Sequence, residues 1–116
     1  MYSEILKSDS SNADALHLLG LATYQDGRLS EALELVFRAI ETRPDAALFY
    51  FNAANILRDL NRLEDACRFF RASILLRSDN VDAYVGLMSI EQLREAALMH
   101  WGVVREIQVK LRAVKR

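Results

Sequence analysis

The sequence predicts an all-α solenoid of antiparallel helix pairs, closed by a long C-terminal capping helix. Three observations carry that prediction. The chain repeats itself at a spacing of about 34 residues, a length that suits one helix–turn–helix unit. Inside each unit, apolar residues recur at steps of three and four. Gly (4) and Pro (1) are scarce while 52% of the residues are hydrophobic, a mix that favours helices over strands.

The repeat shows when the chain is slid along itself. Leu16 falls on Tyr50 and then on Tyr84, and Leu19 falls on Ala53 and then on Leu87. Leu29 meets Leu63, Ala32 meets Ala66, Ala39 meets Ser73 and Ile40 meets Ile74. The run Gly27-Arg28-Leu29-Ser30-Glu31-Ala32 returns as Asn61-Arg62-Leu63-Glu64-Asp65-Ala66. At 116 residues the chain has the length of one domain.

Taken in order, residues 1–12 come first. Tyr2, Ile5 and Leu6, followed by Asp9-Ser10-Ser11-Asn12, read either as the end of a preceding repeat or as a short native cap. The first reading makes the chain a fragment. Residues 13–46 are the first unit, with Leu16, Leu19, Ala22 and Thr23 at helical spacing. Gly27 stops that helix, because glycine accepts the left-handed backbone of a helix C-terminus. Leu29 or Ser30 opens the second helix, with Ala32, Leu33, Val36, Ala39 and Ile40 on one face. Pro44 ends the unit, since proline cannot continue a helix interior. Residues 47–80 are the second unit. Asn61 stands where Gly27 stood, and Ser78 replaces the proline, which leaves that corner less rigid.

Residues 81–93 begin a third, partial unit with Val81-Asp82-Ala83-Tyr84 and Leu87. The turn motif then returns four residues early, as Gln92-Leu93-Arg94-Glu95-Ala96. Either Ser89 and Gln92 form a capping box that starts a separate last helix, or the turn is absorbed into one continuous helix. Residues 94–116 are the C-terminal helix on both readings. Leu93, Ala97, His100, Val104, Ile107, Leu111 and Val114 alternate at steps of four and three, one apolar stripe. A solenoid needs a terminal element with a polar outer face, so a capping role is expected. The alternative is an interface for a homo-oligomer or a partner, through Trp101, Val104, Ile107 and Leu111, because aromatic anchors are common at interfaces.

Net charge is −1, so no strong field for nucleic acid or membrane is expected of the whole chain. The charge is uneven. Arg94, Arg105, Lys110, Arg112, Lys115 and Arg116 face only Glu95 and Glu106 in residues 94–116, leaving +4 there and −5 on the rest. These cations are read as a solvated helix C-terminus, where positive charge suits the dipole. No nucleic-acid or membrane partner is expected.

Residues 13–46, with Leu16-x2-Leu19-Gly20 and then Ala32, Ala39 and Pro44, resemble a complete tetratricopeptide repeat. Residues 47–80, with Tyr50-x2-Ala53-Ala54-x2-Leu57, Ala66-x3-Phe70 and Ser73, resemble a second. The resemblance makes the fold a TPR-type α-solenoid and implies that the first helices of successive repeats line a concave groove. It implies that positions 2, 5, 9 and 12 of each unit face that groove. These are Asp14, His17, Leu21 and Tyr24, then Leu48, Phe51, Asn55 and Arg58, then Asp82, Val85, Ser89 and Gln92. Leu21, Phe51 and Val85 give an apolar floor, with His17, Asn55 and Arg58 as polar contacts.

Some members of the family hold chaperone C-terminal carboxylates through a clamp of Lys, Asn and Arg. Here Asn52 fits the clamp in the second unit, but its other places hold His17, Leu21, Asp82 and Gly86. Without those cations a peptide carboxylate lacks a charged partner, so no chaperone-tail binding is expected. The sugar-transferase branch carries Asn at position 6 of many repeats, and only Asn52 matches, beside Leu18 and Gly86.

Signs of chemistry are few. No GxGxxG, P-loop, HExxH or GxSxG motif occurs. His17 and His100 lie far apart, and His17 is read as a surface residue. Cys67, the single cysteine, sits among Ala66, Phe69 and Phe70 and is read as a small buried hydrophobe. No cofactor or metal is expected, and the chain is not expected to be an enzyme. The N-terminus lacks the pattern of a signal peptide and no apolar run is long enough to span a membrane, so a cytoplasmic location is expected. The function that follows is a protein–protein interaction scaffold, binding a peptide or helix of a partner in the groove. The alternatives are a non-catalytic domain of a larger enzyme such as a transferase, and a self-assembling module.

Overall fold

The structure, a computed structural model, describes residues 12–115. Among those residues it holds five α-helices and no strand: α1 (Ala13–Gln25), α2 (Leu29–Thr42), α3 (Ala47–Asp59), α4 (Leu63–Leu76) and α5 (Val81–Lys115). The preceding repeat or cap read from residues 1–12 lies, apart from Asn12, outside the described residues.

Local chemistry sets the helix ends. The Asn12 side chain accepts the Ala15 N–H at 3.0 Å and satisfies one of the free donors at the start of α1. At the other end Gly27 takes φ +83. Its N–H reaches the Tyr24 carbonyl (2.9 Å) and the Arg28 N–H reaches that of Thr23 (3.2 Å). That pair of bonds is a Schellman closure. The second unit repeats it with Asn61 at φ 62, Asn61 N–H to Arg58 (2.9 Å) and Arg62 N–H to Leu57 (2.8 Å). Gly27 and Asn61, the residues read as stopping the first helix of each unit, are therefore the two that adopt the left-handed backbone among the described residues. Pro44 follows the end of α2, and its carbonyl accepts the Tyr50 hydroxyl at 2.8 Å.

The helices pair as α1 with α2 and α3 with α4, and the pairs stack through α2 on α3 and α4 on α5. Small residues let them approach. A methyl group at Gly20 would stand 2.8 Å from Val36 Cγ2, and Ala32, Ala39, Ala53 and Ala54 are fully buried. Cys67 lies in the same core, as read from the sequence, beside Phe70 and Ile90. Phe70 fills the space between α4 and α5. It does so because residue 86 is glycine, where a Cβ would meet the Phe70 ring at 2.6 Å.

The third unit does not turn. α5 runs from Val81 to Lys115 without a break, so the boundary at 93–94 is not a helix end. Ser89 starts no separate helix: its hydroxyl donates to the Val85 carbonyl (2.8 Å) inside α5. The reason is visible in the aligned turns. Gly27 and Asn61 correspond to Glu91, and a β-carbon with a long side chain makes the left-handed backbone costly. Glu91 stays helical and pairs instead with Arg71 on α4 (3.1 Å). The first turns of α5 close the stack, with Ala83, Gly86 and Ile90 buried. Arg94 marks the far edge of that contact through an ion pair with Glu64 (3.0 Å).

Candidate protein-binding face

α1 and α3 lie side by side, and two side-chain links join them. Asn52 Nδ2 donates to His17 Nε2 at 2.7 Å, and the Tyr24 hydroxyl donates to the Asp59 carboxylate. His17 is not the surface residue the sequence suggested. It is only 5% exposed, and its ring lies 4.5 Å from that of Phe49. Position 5 of the helix points at the neighbouring α3, whose Phe49 and Asn52 cover it. Burial lowers its pKa below the ordinary 6.5; Asp14 opposes that shift and Arg43 adds to it. The neutral ring fits its role, since the contacting nitrogen accepts the Asn52 N–H. Tyr24 moves the other way, pushed up to about 12 by burial, by its hydrogen bond to Asp59 and by that residue's charge.

A cleft of about 610 Å³ opens at the N-terminal ends of α1 and α3. Asp14, His17 and Leu48, all predicted groove residues, line it together with Arg43, Phe49, Leu76, Arg77 and Asp79. Four of its charges are tied in pairs: Arg43 to Asp14 (3.3 Å) and Arg77 to Asp79 (2.8 Å). The Arg43 guanidinium also lies over the Phe49 ring at 5.1 Å. Leu48 stands out at the mouth, 58% exposed. The sequence reading missed Arg43, Phe49, Arg77 and Asp79. A signal existed: Arg43-Pro44-Asp45 and Arg77-Ser78-Asp79 occupy equivalent places in the two units.

Further along α3, Phe51 and Arg58 are half-buried around one ring. Phe51 meets Phe70 edge-on at 6.0 Å, and the Arg58 guanidinium lies 5.8 Å from the Phe70 centroid. Leu21 and Asn55 are also half-buried. On α5, Asp82, Val85, Ser89 and Gln92 are exposed and take no part in the cleft. Trp101, Ile107 and Leu111 are exposed and Val104 is half-exposed.

Among the described residues no group of three His, Cys, Asp or Glu side chains is placed to hold a metal ion. Nor is any described helix long and apolar enough to cross a membrane. What the arrangement offers is a cleft at the N-terminal ends of α1 and α3, with Leu48 and Phe49 beside two ion pairs. Stacked antiparallel helix pairs with such a face define a helical-repeat protein. The tetratricopeptide repeat model matches residues 1–43 and 37–83, and the chain belongs to that family.

Solved structures agree on the fold. The chain superposes on a Thermobaculum terrenum O-GlcNAc transferase with a TM-score of 0.74 at 29% identity, covering 77% of this chain and 17% of that one. It is similar to the first repeat domain of Spaghetti (RPAP3) bound to an HSP90 peptide, with a TM-score of 0.78 at 18% identity over 81% of this chain and 75% of that one. YrrB, a repeat protein with an unusual peptide-binding site, gives a TM-score of 0.75 at 18% identity over 84% of this chain and 50% of that one. The chain thus spans 17% of the transferase and half of YrrB. No curated protein matches the sequence.

Proposed function

We propose that the chain is a non-catalytic protein-interaction scaffold, seating a peptide or helix of a partner across α1 and α3. One observation carries the reading: a cleft of about 610 Å³ opens at the N-terminal ends of α1 and α3, lined by Leu48, Phe49 and two ion pairs, and Phe51 stands half-buried one turn further along α3. Apolar side chains on an otherwise polar surface mark interaction sites, and half-buried aromatics make good anchors. The Spaghetti repeat domain holds a peptide on a similar fold, which supports the class of ligand. It does not support the same ligand, because the cation places of the chaperone-tail clamp hold Asp82 and Gly86, and Asn52 is engaged by His17.

A peptide-display selection against the chain tests this. Selected binders should lose roughly 2 kcal/mol, about thirtyfold in Kd, on Phe51→Ala, and should also weaken on Leu48→Asp. Binders that ignore both substitutions would place the site elsewhere. A second reading, a non-catalytic repeat domain within a larger enzyme, is favoured by the 29% identity to the transferase. A catalytic domain encoded in the same open reading frame decides for it. Both readings take the chain as cytoplasmic, consistent with the one buried thiol, Cys67.

A further inference from the structure

The helices α1, α3 and α5 begin in one register. Asn12, Ala46 and Asn80 stand 34 residues apart, each just before its helix. Two of the three cap it. The Asn12 side chain accepts the Ala15 N–H (3.0 Å), and the Asn80 side chain accepts the Ala83 N–H (3.3 Å). Ala46 has the backbone of a cap residue, with φ −89 and ψ 99 against −71 and 107 at Asn12, but its methyl group accepts nothing. The Phe49 N–H turns back to the Ala46 carbonyl (3.0 Å). The Ala47 and Leu48 N–H groups meet no acceptor among the described residues. This open helix end faces the cleft of about 610 Å³, whose walls include Ala46, Ala47 and Leu48.

A second polar group in the same cleft also lacks a partner. α4 returns antiparallel to α3, so its last turn comes back to the start of α3, and Ser73 forms part of the cleft wall. Ser73 is only 1% exposed, and its hydroxyl makes no hydrogen bond to a described residue. A buried hydroxyl left unpaired is costly, and a ligand that reaches it recovers that cost. In the first unit the equivalent residue is Ala39, fully buried. The second unit therefore exchanges the two: its cap position is apolar, and the residue beneath is polar.

Charge decides which acceptor fits. Arg43 is tied to Asp14 and Arg77 to Asp79. That leaves Asp45 as the cleft carboxylate with no cation within 4.0 Å among the described residues. A carboxylate ligand would bring a like charge beside it. A carboxamide brings none. Its oxygen can accept from the start of α3, and its two N–H donors suit the Ser73 hydroxyl and the Asp45 carboxylate. Leu48 and Leu76, 58% and 46% exposed, line the same cleft and suit an apolar neighbour.

We propose that the partner peptide caps α3 in trans with an asparagine side chain, next to an apolar residue that rests on Leu48 and Leu76. Asparagine is the residue that already caps α1 and α5, and the longer glutamine is not a favoured cap. The proposal rests on the reading of the cleft as the peptide site and names the residue that the cleft selects.

The test uses the full chain, peptides selected on it by display, and synthetic variants of those peptides. Selected sequences should share an asparagine beside an apolar residue. Replacing it by Ala, Asp or Gln should weaken binding about tenfold. Added salt should narrow the deficit of the Asp peptide alone. Ala46→Asn supplies the cap within the chain, so it should raise the urea midpoint and bind the Asn and Ala peptides equally well. Ala46→Ser should do the same, which guards against a misfit of either side chain at this half-buried position. Ser73→Ala should reduce the preference for Asn without lowering the midpoint. Binders with no shared asparagine, an Ala peptide as tight as its parent, a tighter Asp peptide, or an Asn preference that persists in both Ala46 variants overturns the proposal. If binding in those cases still depends on Phe51 and Leu48, the groove reading stands without it. If no peptide binds, both fall.

Discussion

Phe70 is the side chain on which most others depend. Its ring is fully buried, Phe51 and Arg58 rest on it from α3, and Gly86 makes room for it on α5. A Gly86→Ala substitution would place a methyl 2.6 Å from that ring, so α5 must shift. The expected loss is about 1–3 kcal/mol of stability, read as a lower urea midpoint; an unchanged midpoint would mean that α5 docks more loosely than described. His17 makes a prediction with a sign. Its pKa is lowered in the folded chain, so the unfolded chain binds the proton more readily. Its contribution to stability is complete above pH 6.5 and is lost as pH falls below that value toward the lower folded pKa. His17→Gln should remove this part of the pH dependence, and urea midpoints taken from pH 7.5 downward would show it. Burial of His17 was not legible in the sequence, because a lone histidine at groove position 5 looks the same whether or not the neighbouring helix brings Phe49 and Asn52 over it.

Helix ends were the most legible elements. Gly27, Asn61 and Pro44 each act through a backbone property that does not depend on distant parts of the fold, whereas the capping of α1 by Asn12 was not read from the sequence. Asn61 holds φ 62, so Asn61→Ala should cost about 1 kcal/mol while Asn61→Gly should be neutral or stabilising. Thermal melting of the two variants separates them, and equal melting points would mean that the turn tolerates another backbone. The course of α5 was less legible. The early return of the turn motif at 92–96 was compatible with a break or a continuous helix, and only the position before it distinguishes them. Glu91 there lacks the permissive backbone of Gly27 and Asn61, and it gains an ion pair by staying helical.

At the scale of the molecule, the repeat pattern foretold the stacked pairs because each unit cannot bury its apolar face alone. It could not show which groove residues would be spent on holding α1 to α3 and which left free; Tyr24 and His17 are spent, whereas Leu48 is free. Past Arg94 the tail packs on no described element, so removing residues 96–116 should change stability by less than about 1 kcal/mol. A large drop in the denaturation midpoint of the truncated chain would show that the tail folds onto the array in solution. The failure of the third unit to turn also bears on how such chains lengthen. Duplicating a unit adds a layer only where the backbone can reverse. Upstream of Glu91 the chain is built in hairpins, and downstream of it α5 runs on as a single helix. Where Gly27 and Asn61 let the backbone reverse, Glu91 stays helical, and α5 leaves the stack as an outlying strut.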